Sequence, residues 1–266
     1  MRFTTGIDLG TAVQWWCLQG LELSMKPKKF MRVGVCGWSL IAAIAVLGCG
    51  DDGPPGETYY DRIIQDLRTN EHSLQAHQDY YQNVKIHGEA ALSALQSAPG
   101  RLDGQLLIEA YQASQIWHTV LNRAAYEEIL SVGAMNTIPD IEARERLANY
   151  YVAVDAISIQ LRDTSTYREL VRSHIPIEVQ RNVETNCGDT VTTDSSGALI
   201  NSFPDSCALD LDAATIQLAT ESLLTAPGMV IHLNRRLSDL DTKLRIMKRN
   251  EDRSRELADY LESTKQ

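Results

Sequence analysis

An all-α helical bundle with long first and last helices is the fold this sequence predicts, and three observations predict it. Apolar residues recur at helical spacing along most of residues 57–266. Alternating β-branched residues appear almost only inside one loop, "CGDTVTTDSSGALINSFPDSC" at 187–207. No proline falls between Pro55 and Pro99, which leaves room for one helix of about 38 residues. Hydrophobic residues at 44% and charged residues at 23% are ordinary globular proportions, and 266 residues suffice for a real core.

A leader precedes that body. Residues 25–49 read "MKPKKFMRVGVCGWSLIAAIAVLGC". Four basic residues come first, then an apolar run from Val33 to Gly48, with small residues just before Cys49. A positive flank, an apolar stretch and a small-residue site make a secretory signal. The basic flank belongs on the cytoplasmic side, with Asp51 and Asp52 across the membrane. Val46-Leu47-Gly48-Cys49 resembles a bacterial lipoprotein signal box, which implies Cys49 as the lipidation site and first mature residue. Val46 and Leu47 depart from the usual pattern. An uncleaved transmembrane anchor is the alternative, the run being just short of the roughly 17 residues a spanning helix needs. A buried core helix is a third reading, and it makes the charge asymmetry accidental. Lipoprotein and anchor alike place the protein in the bacterial cell envelope, held to the lipid bilayer through its N-terminus, its body outside the cytoplasm. Residues 1–24 read as an upstream extension ahead of a better start at Met25; their "GIDLGT" resembles a phosphate-binding turn of actin-type ATPases, without the further phosphate loops that fold needs. Residues 50–56 form a tether and 57–266 the extracytoplasmic domain.

The net charge is −10. Residues 1–48 hold five basic and two acidic side chains, which leaves −13 for the rest. A body this acidic repels phosphate backbones, so nucleic acid is not an expected partner.

Along the body, Thr58-x-x-Asp61 fits a capping box. Ile63, Leu67, Leu74, Tyr81, Val84, Ala91 and Leu95 then form an apolar stripe interrupted by Asn70, His77 and Gly88. A second helix is expected from about Asp103 to Leu130, and a third capped by Thr137 with Pro139 in its first turn. Shorter helices follow around Tyr167–Ser173 and from Pro176 to Glu184. Cys187 and Cys207 remain as the body's only cysteine pair, read as a disulfide closing a loop with little structure of its own. A metal role lacks a nearby histidine partner, and a redox motif would need closer spacing. Asp210 is expected to cap a helix through Leu224, and Pro227-Gly228 to break it. Leu233, Leu237, Leu240, Leu244 and Met247 then repeat at alternating four and three, the seam of a helix that packs on the first helix, on a partner protein or on a second copy.

The stretch "AYEEILSVGAMNTIPDIEARERLANYY" at 125–151 resembles the signature of a family of uncharacterised bacterial membrane-anchored helical proteins. Tyr126, Ile129, Gly133 and the Tyr150-Tyr151 pair occupy its tyrosine and turn places, and "YYDRIIQDL" resembles its first soluble helix. Val132 stands where serine is common, and the Cys187–Cys207 loop is extra. The resemblance covers about residues 57–185. It implies an anchored helical bundle in which Tyr126, Gly133 and Tyr151 are structural turn residues, and it implies no activity. An internal echo, "AYEEILSVGAMNTIPD" against "TYRELVRSHIPIE", puts Tyr126 and Tyr167 in matching places, so a helical repeat is an alternative build.

Catalytic signatures do not emerge. The six histidines show no i, i+4 pair and no H-E-x-x-H, and neither a Walker A loop nor G-x-S-x-G is present. No catalytic residue, metal site or cofactor is expected. The doublets Tyr59-Tyr60, Tyr80-Tyr81 and Tyr150-Tyr151 suggest one ring in the core and its neighbour near the edge. The function expected is that of a non-enzymatic interaction or envelope-scaffold module, with a ligand-sensing ectodomain as the alternative.

Overall fold

The computed structural model describes residues 58–97, 104–162, 165–195 and 198–265, all within the unit Asp51–Gln266. The leader, Cys49 and the tether lie outside the described residues. Eight α-helices occur among them: α1 Tyr59–Gln96, α2 Gly104–Ala113, α3 Ala124–Ser131, α4 Ile141–Gln160, α5 Thr166–His174, α6 Ile177–Cys187, α7 Ala213–Leu224 and α8 Met229–Thr264. The all-α fold with long first and last helices is therefore what the chain forms. No helix among the described residues is long and apolar enough to cross a membrane.

The spine is an antiparallel pair, α1 against α8. The Thr58–Asp61 capping box starts α1 as the sequence predicts. Ile63, Leu67, Leu74, Tyr81, Val84 and Ala91 are fully buried. So are the residues that seemed to interrupt the stripe: Asn70, His77 and Gly88. From Ile63 to Ala91 the spacing alternates four and three throughout, so these three are seam positions occupied by unusual residues. Gly88 is there because α8 crosses it: a Cβ would come within 2.8 Å of Leu237 Cδ2. On α8, Leu233, Leu240 and Met247 are buried against the chain's own helices. The seam read as open to a partner helix or a second copy is thus covered within the chain by α1. It continues through Glu251, Ser254, Ala258 and Leu261, all buried, which extends it past the polar stretch where the sequence pattern fades.

Several sequence expectations are corrected. The single helix expected over 103–130 is two helices, α2 and α3, joined by a non-helical strap at 115–123. Thr137 does not cap α4. It ends a short 3-10 turn, Met135–Thr137, and donates to Ala134 O. Asp140 is the cap, accepting from Glu142 N–H at 3.0 Å, and Pro139 lies just before it. Asp212, not Asp210, caps α7, because its carboxylate reaches the amides of Ala214 and Thr215. Cys187 and Cys207 are disulfide-bonded as expected. The loop they close nevertheless holds regular structure: β1 Thr190–Thr193 pairs antiparallel with β2 Leu199–Ser202, Val191 opposite Asn201. Its β-branched residues favour the pleat, and Phe203, just beyond β2, stacks on Tyr80 with centroids 5.0 Å apart.

Both rings of two tyrosine doublets are buried, against the expectation of one in and one out. Adjacent helical residues point about 100° apart, so burying both requires cover on two sides. For Tyr80 and Tyr81 the strap's Trp117 and the hairpin's Phe203 supply it alongside α8.

Candidate functional site

The strap is the most unusual feature of the molecule, and polar side chains explain it. Tyr81 Oη accepts from Trp117 N–H at 3.0 Å and donates to Trp117 O at 2.7 Å. His77 stacks on the Trp117 ring with centroids 3.7 Å apart, and its Nε2 lies 3.3 Å from His118 O. Asn70 grips Asn122 by both backbone groups, accepting its N–H at 2.5 Å and donating to its carbonyl at 2.8 Å. Asp66 accepts from Asn122 Nδ2 and from Ala125 N–H at 2.9 Å. That last bond matters for α3, whose own N-cap, Arg123, supplies no side-chain cap. An aspartate on α1 caps α3 from outside. At the other end, Arg236 donates to Ala113 O and Gln115 O, and Arg168 to Ser114 O. These cations satisfy carbonyls that end α2.

The strap meets Tyr81 at Trp117 and Asn70 at Asn122, and no helix, turn or bend forms between them. It therefore runs extended and antiparallel to α1. Lys243 supports the middle from behind, its Nζ 3.3 Å from Tyr81 Oη and from Leu161 O and 4.3 Å from the Tyr81 ring. Burial pushes the His77 imidazole below its ordinary pKa, outweighing the carbonyls of Ser73 and His118 that favour its charged form; the Lys243 ammonium adds to the depression. Burial also raises the Asp66 carboxyl, against the Ala125 amide and the Arg62 charge.

In front of the strap lies a groove of about 360 Å³. Leu121, Val154, Ile157 and Leu161 give it apolar walls, with Arg123, Asp155 and Arg162 at the rim. Three observations give this groove binding capacity. The backbone amides and carbonyls of Thr119, Val120 and Leu121 have no hydrogen bond among the described residues. The Val120 side chain is 80% exposed. Thr119 is among the lining residues, and its hydroxyl is buried and without a partner among the described residues. An extended backbone with open hydrogen-bonding groups beside an apolar trough can accept another extended segment as a paired strand.

The residues singled out from sequence lie elsewhere. Tyr126 and Tyr151 do come together, stacked at 4.1 Å and nearly parallel. Gly133 sits at the other end of α3, at φ +66°, and closes the helix in a Schellman turn: Ala134 N–H donates to Ile129 O and Gly133 N–H to Leu130 O. Cys187 is buried at the end of α6, and Gln112 Nε2 donates to its carbonyl. Sequence reasoning missed Asp66, Asn70, His77 and Tyr81 as strap-holding residues. The signal was present for Asn70 and His77, polar residues standing at seam spacing; Asp66 lies off the seam and gave none. Among the described residues no group of histidine, cysteine and carboxylate side chains could hold a metal ion. No protein-family model, no curated protein and no solved structure matches this chain.

Proposed function

We propose that this protein is a membrane-tethered, extracytoplasmic, non-enzymatic interaction module of the bacterial envelope that holds an extended segment of a partner protein against its strap. One observation carries the reading: the extended strap is fixed from behind by α1 side chains, while its Thr119–Leu121 backbone stays unpaired beside an apolar groove. The leader sequence supports export and tethering, and the Cys187–Cys207 disulfide fits an oxidising compartment.

Peptides selected from a random library on the purified domain provide the test, with Val120→Ala and Val120→Pro compared. Proline removes one donor from the strap edge while keeping an extended backbone. Strand pairing predicts that Val120→Ala binds as the parent does and that Val120→Pro loses about tenfold, the weight of one or two hydrogen bonds. Equal binding by the two variants contradicts it. The tether has its own test, the intact mass of the membrane form beside Cys49→Ala. Loss of residues 1–48 with added lipid supports a lipoprotein, and an unprocessed mass leaves a single-pass anchor.

The apolar walls of the groove favour a second reading, a small ligand held between Leu121, Val154 and Ile157. In that case Val154→Ala weakens binding while Val120→Pro does not.

A further inference from the structure

The two edges of α8 differ in charge. On one edge Lys248 and Arg255 are neutralised by Glu251 and Asp252, and Arg255 also by Glu71 of α1. On the other edge Arg245, Arg249 and Arg253 stand at i, i+4 and i+8, exposed, and none of them meets a carboxylate among the described residues. Arg245 donates only to Thr242. The row is about 12 Å long, one guanidinium every 6 Å or so. A body whose formal charge is strongly negative leaves these three cations unmatched along a single line.

Arg253, the last of the row, lines a cleft of about 330 Å³ between α4 and α8, with Tyr150, Ala153 and Leu257 among its other lining residues. Across the cleft, Arg146 is held by Glu142 and lies 4.1 Å over the Tyr260 ring. Glu256, one turn beyond Arg253, ends the cationic run with an opposite charge. We propose that this edge docks an acidic helix of a partner protein, its carboxylates repeating at i, i+4 and i+8. The spacing matches on both sides. The cleft gives an apolar side chain of that helix a place beside Ala153, and Glu256 sets the register by repelling an acid placed one turn too far. A bilayer surface is the poorer match, since insertion needs exposed bulky apolar side chains beside the cations, and the bulky ones that line the cleft with Arg253, namely Tyr150 and Leu257, are buried. The proposal rests on the interaction-module reading but uses a surface separate from the strap groove.

The test uses the full chain and two alanine-based helical peptides of one composition, glutamates at i, i+4 and i+8 in the first and scattered around the helix in the second. Vesicles of phosphatidylglycerol form a third arm. The in-register peptide is expected to bind about tenfold more tightly than the scattered one, from three modest ion pairs acting together. Binding should fade as salt approaches about 1 M, where the screening length is about 3 Å. Arg249→Glu, at an exposed position that does not threaten folding, should abolish the preference, and a matching lysine peptide should restore it. Val120→Pro should leave it unchanged, which separates failure here from failure of the strap groove. Equal binding of the two peptides, indifference to Arg249→Glu, or tighter binding to the vesicles overturns the proposal.

Discussion

The two ends of the bundle are built from similar sequence and held by different physics. Tyr126 and Tyr167 stand in echoing stretches, and each opens a short helix followed by a proline and another helix. Near Tyr126 the core is aromatic and polar. Tyr126 stacks on Tyr151, while Tyr150 accepts from Asn70 and shares a 2.7 Å hydrogen bond with Ser254. Near Tyr167 the core is mostly aliphatic. Leu107, Val171, Val179, Val183 and Leu223 surround it, Tyr167 donates only to Ala110 O, and a disulfide closes the rim. The polar end depends on ring stacking and on hydrogen bonds that reach the strap, with the Tyr151 hydroxyl left unpartnered among the described residues, and the aliphatic end on packing and a covalent loop. The lesson is that a short echo in sequence need not produce like surroundings in structure once the partners of its tyrosines differ.

The largest way to break the comparison is a cavity at one end only. Leu147→Ala in the aromatic core and Leu223→Ala in the aliphatic one should each cost about 2–5 kcal/mol. Hydrogen exchange should show the first loosening α3 and α4 and the second α6 and α7; identical protection patterns would erase the distinction between ends. Next is the disulfide. Cys187→Ser with Cys207→Ser should lower stability by about 3 kcal/mol in denaturant titration, with the loss of protection confined to the aliphatic end. Asn70→Ala should cost about 1–3 kcal/mol, because the Asn122 amide and carbonyl lose their partner, and the strap amide of Asn122 should then exchange rapidly.

A pH series sharpens the same contrast. His77 is depressed by burial, so the unfolded chain takes up a proton before the folded one does. The stability it contributes is present above its ordinary pKa, near 6.5, and is lost as the pH falls below that value. The buried phenols of Tyr80, Tyr150, Tyr151 and Tyr167 are raised by burial. Their contribution is intact below about 10, the ordinary phenol value, and is lost as the pH rises beyond it. Denaturant midpoints across pH should show both declines, and His77→Gln should remove the acidic one. The smallest effect is Gly133→Ala. Nothing lies within 4 Å of the added methyl group, so the cost is that of the left-handed backbone alone, about 1 kcal/mol.

Much of the fold was legible in the sequence. The capping box and heptad spacing announced α1 and α8, and an isolated cysteine pair announced the disulfide. The strap was not legible. Residues 115–123 contain no glycine or proline and continue a helical pattern; they are drawn straight by hydrogen bonds from Asn70 and Tyr81 and by the stack of His77 on Trp117, thirty-odd to fifty-odd positions apart. Local propensity cannot report a partner that distant. The hairpin was missed although its β-branched residues and the Asp-Ser-Ser-Gly at 194–197 were in view; the contact that adds it to the core, Phe203 on Tyr80, joins residues 123 positions apart. The candidate groove was hidden with the strap, because its wall exists only once 115–123 is extended. Tyr126, Gly133 and Tyr151 were picked out by the resemblance alone; Gly133 is a helix stop, which is local chemistry, while the Tyr126–Tyr151 stack joins α3 to α4 and no local pattern announced it.

The most direct test of the strap is residue-resolved amide exchange at neutral pH, without and with a selected peptide. The account predicts slow exchange at Trp117 and Asn122, whose amides are bonded to α1, and fast exchange at Thr119, Val120 and Leu121 until the peptide covers them. Slow exchange across all five amides in the free protein, or no protection when the peptide binds, would contradict it.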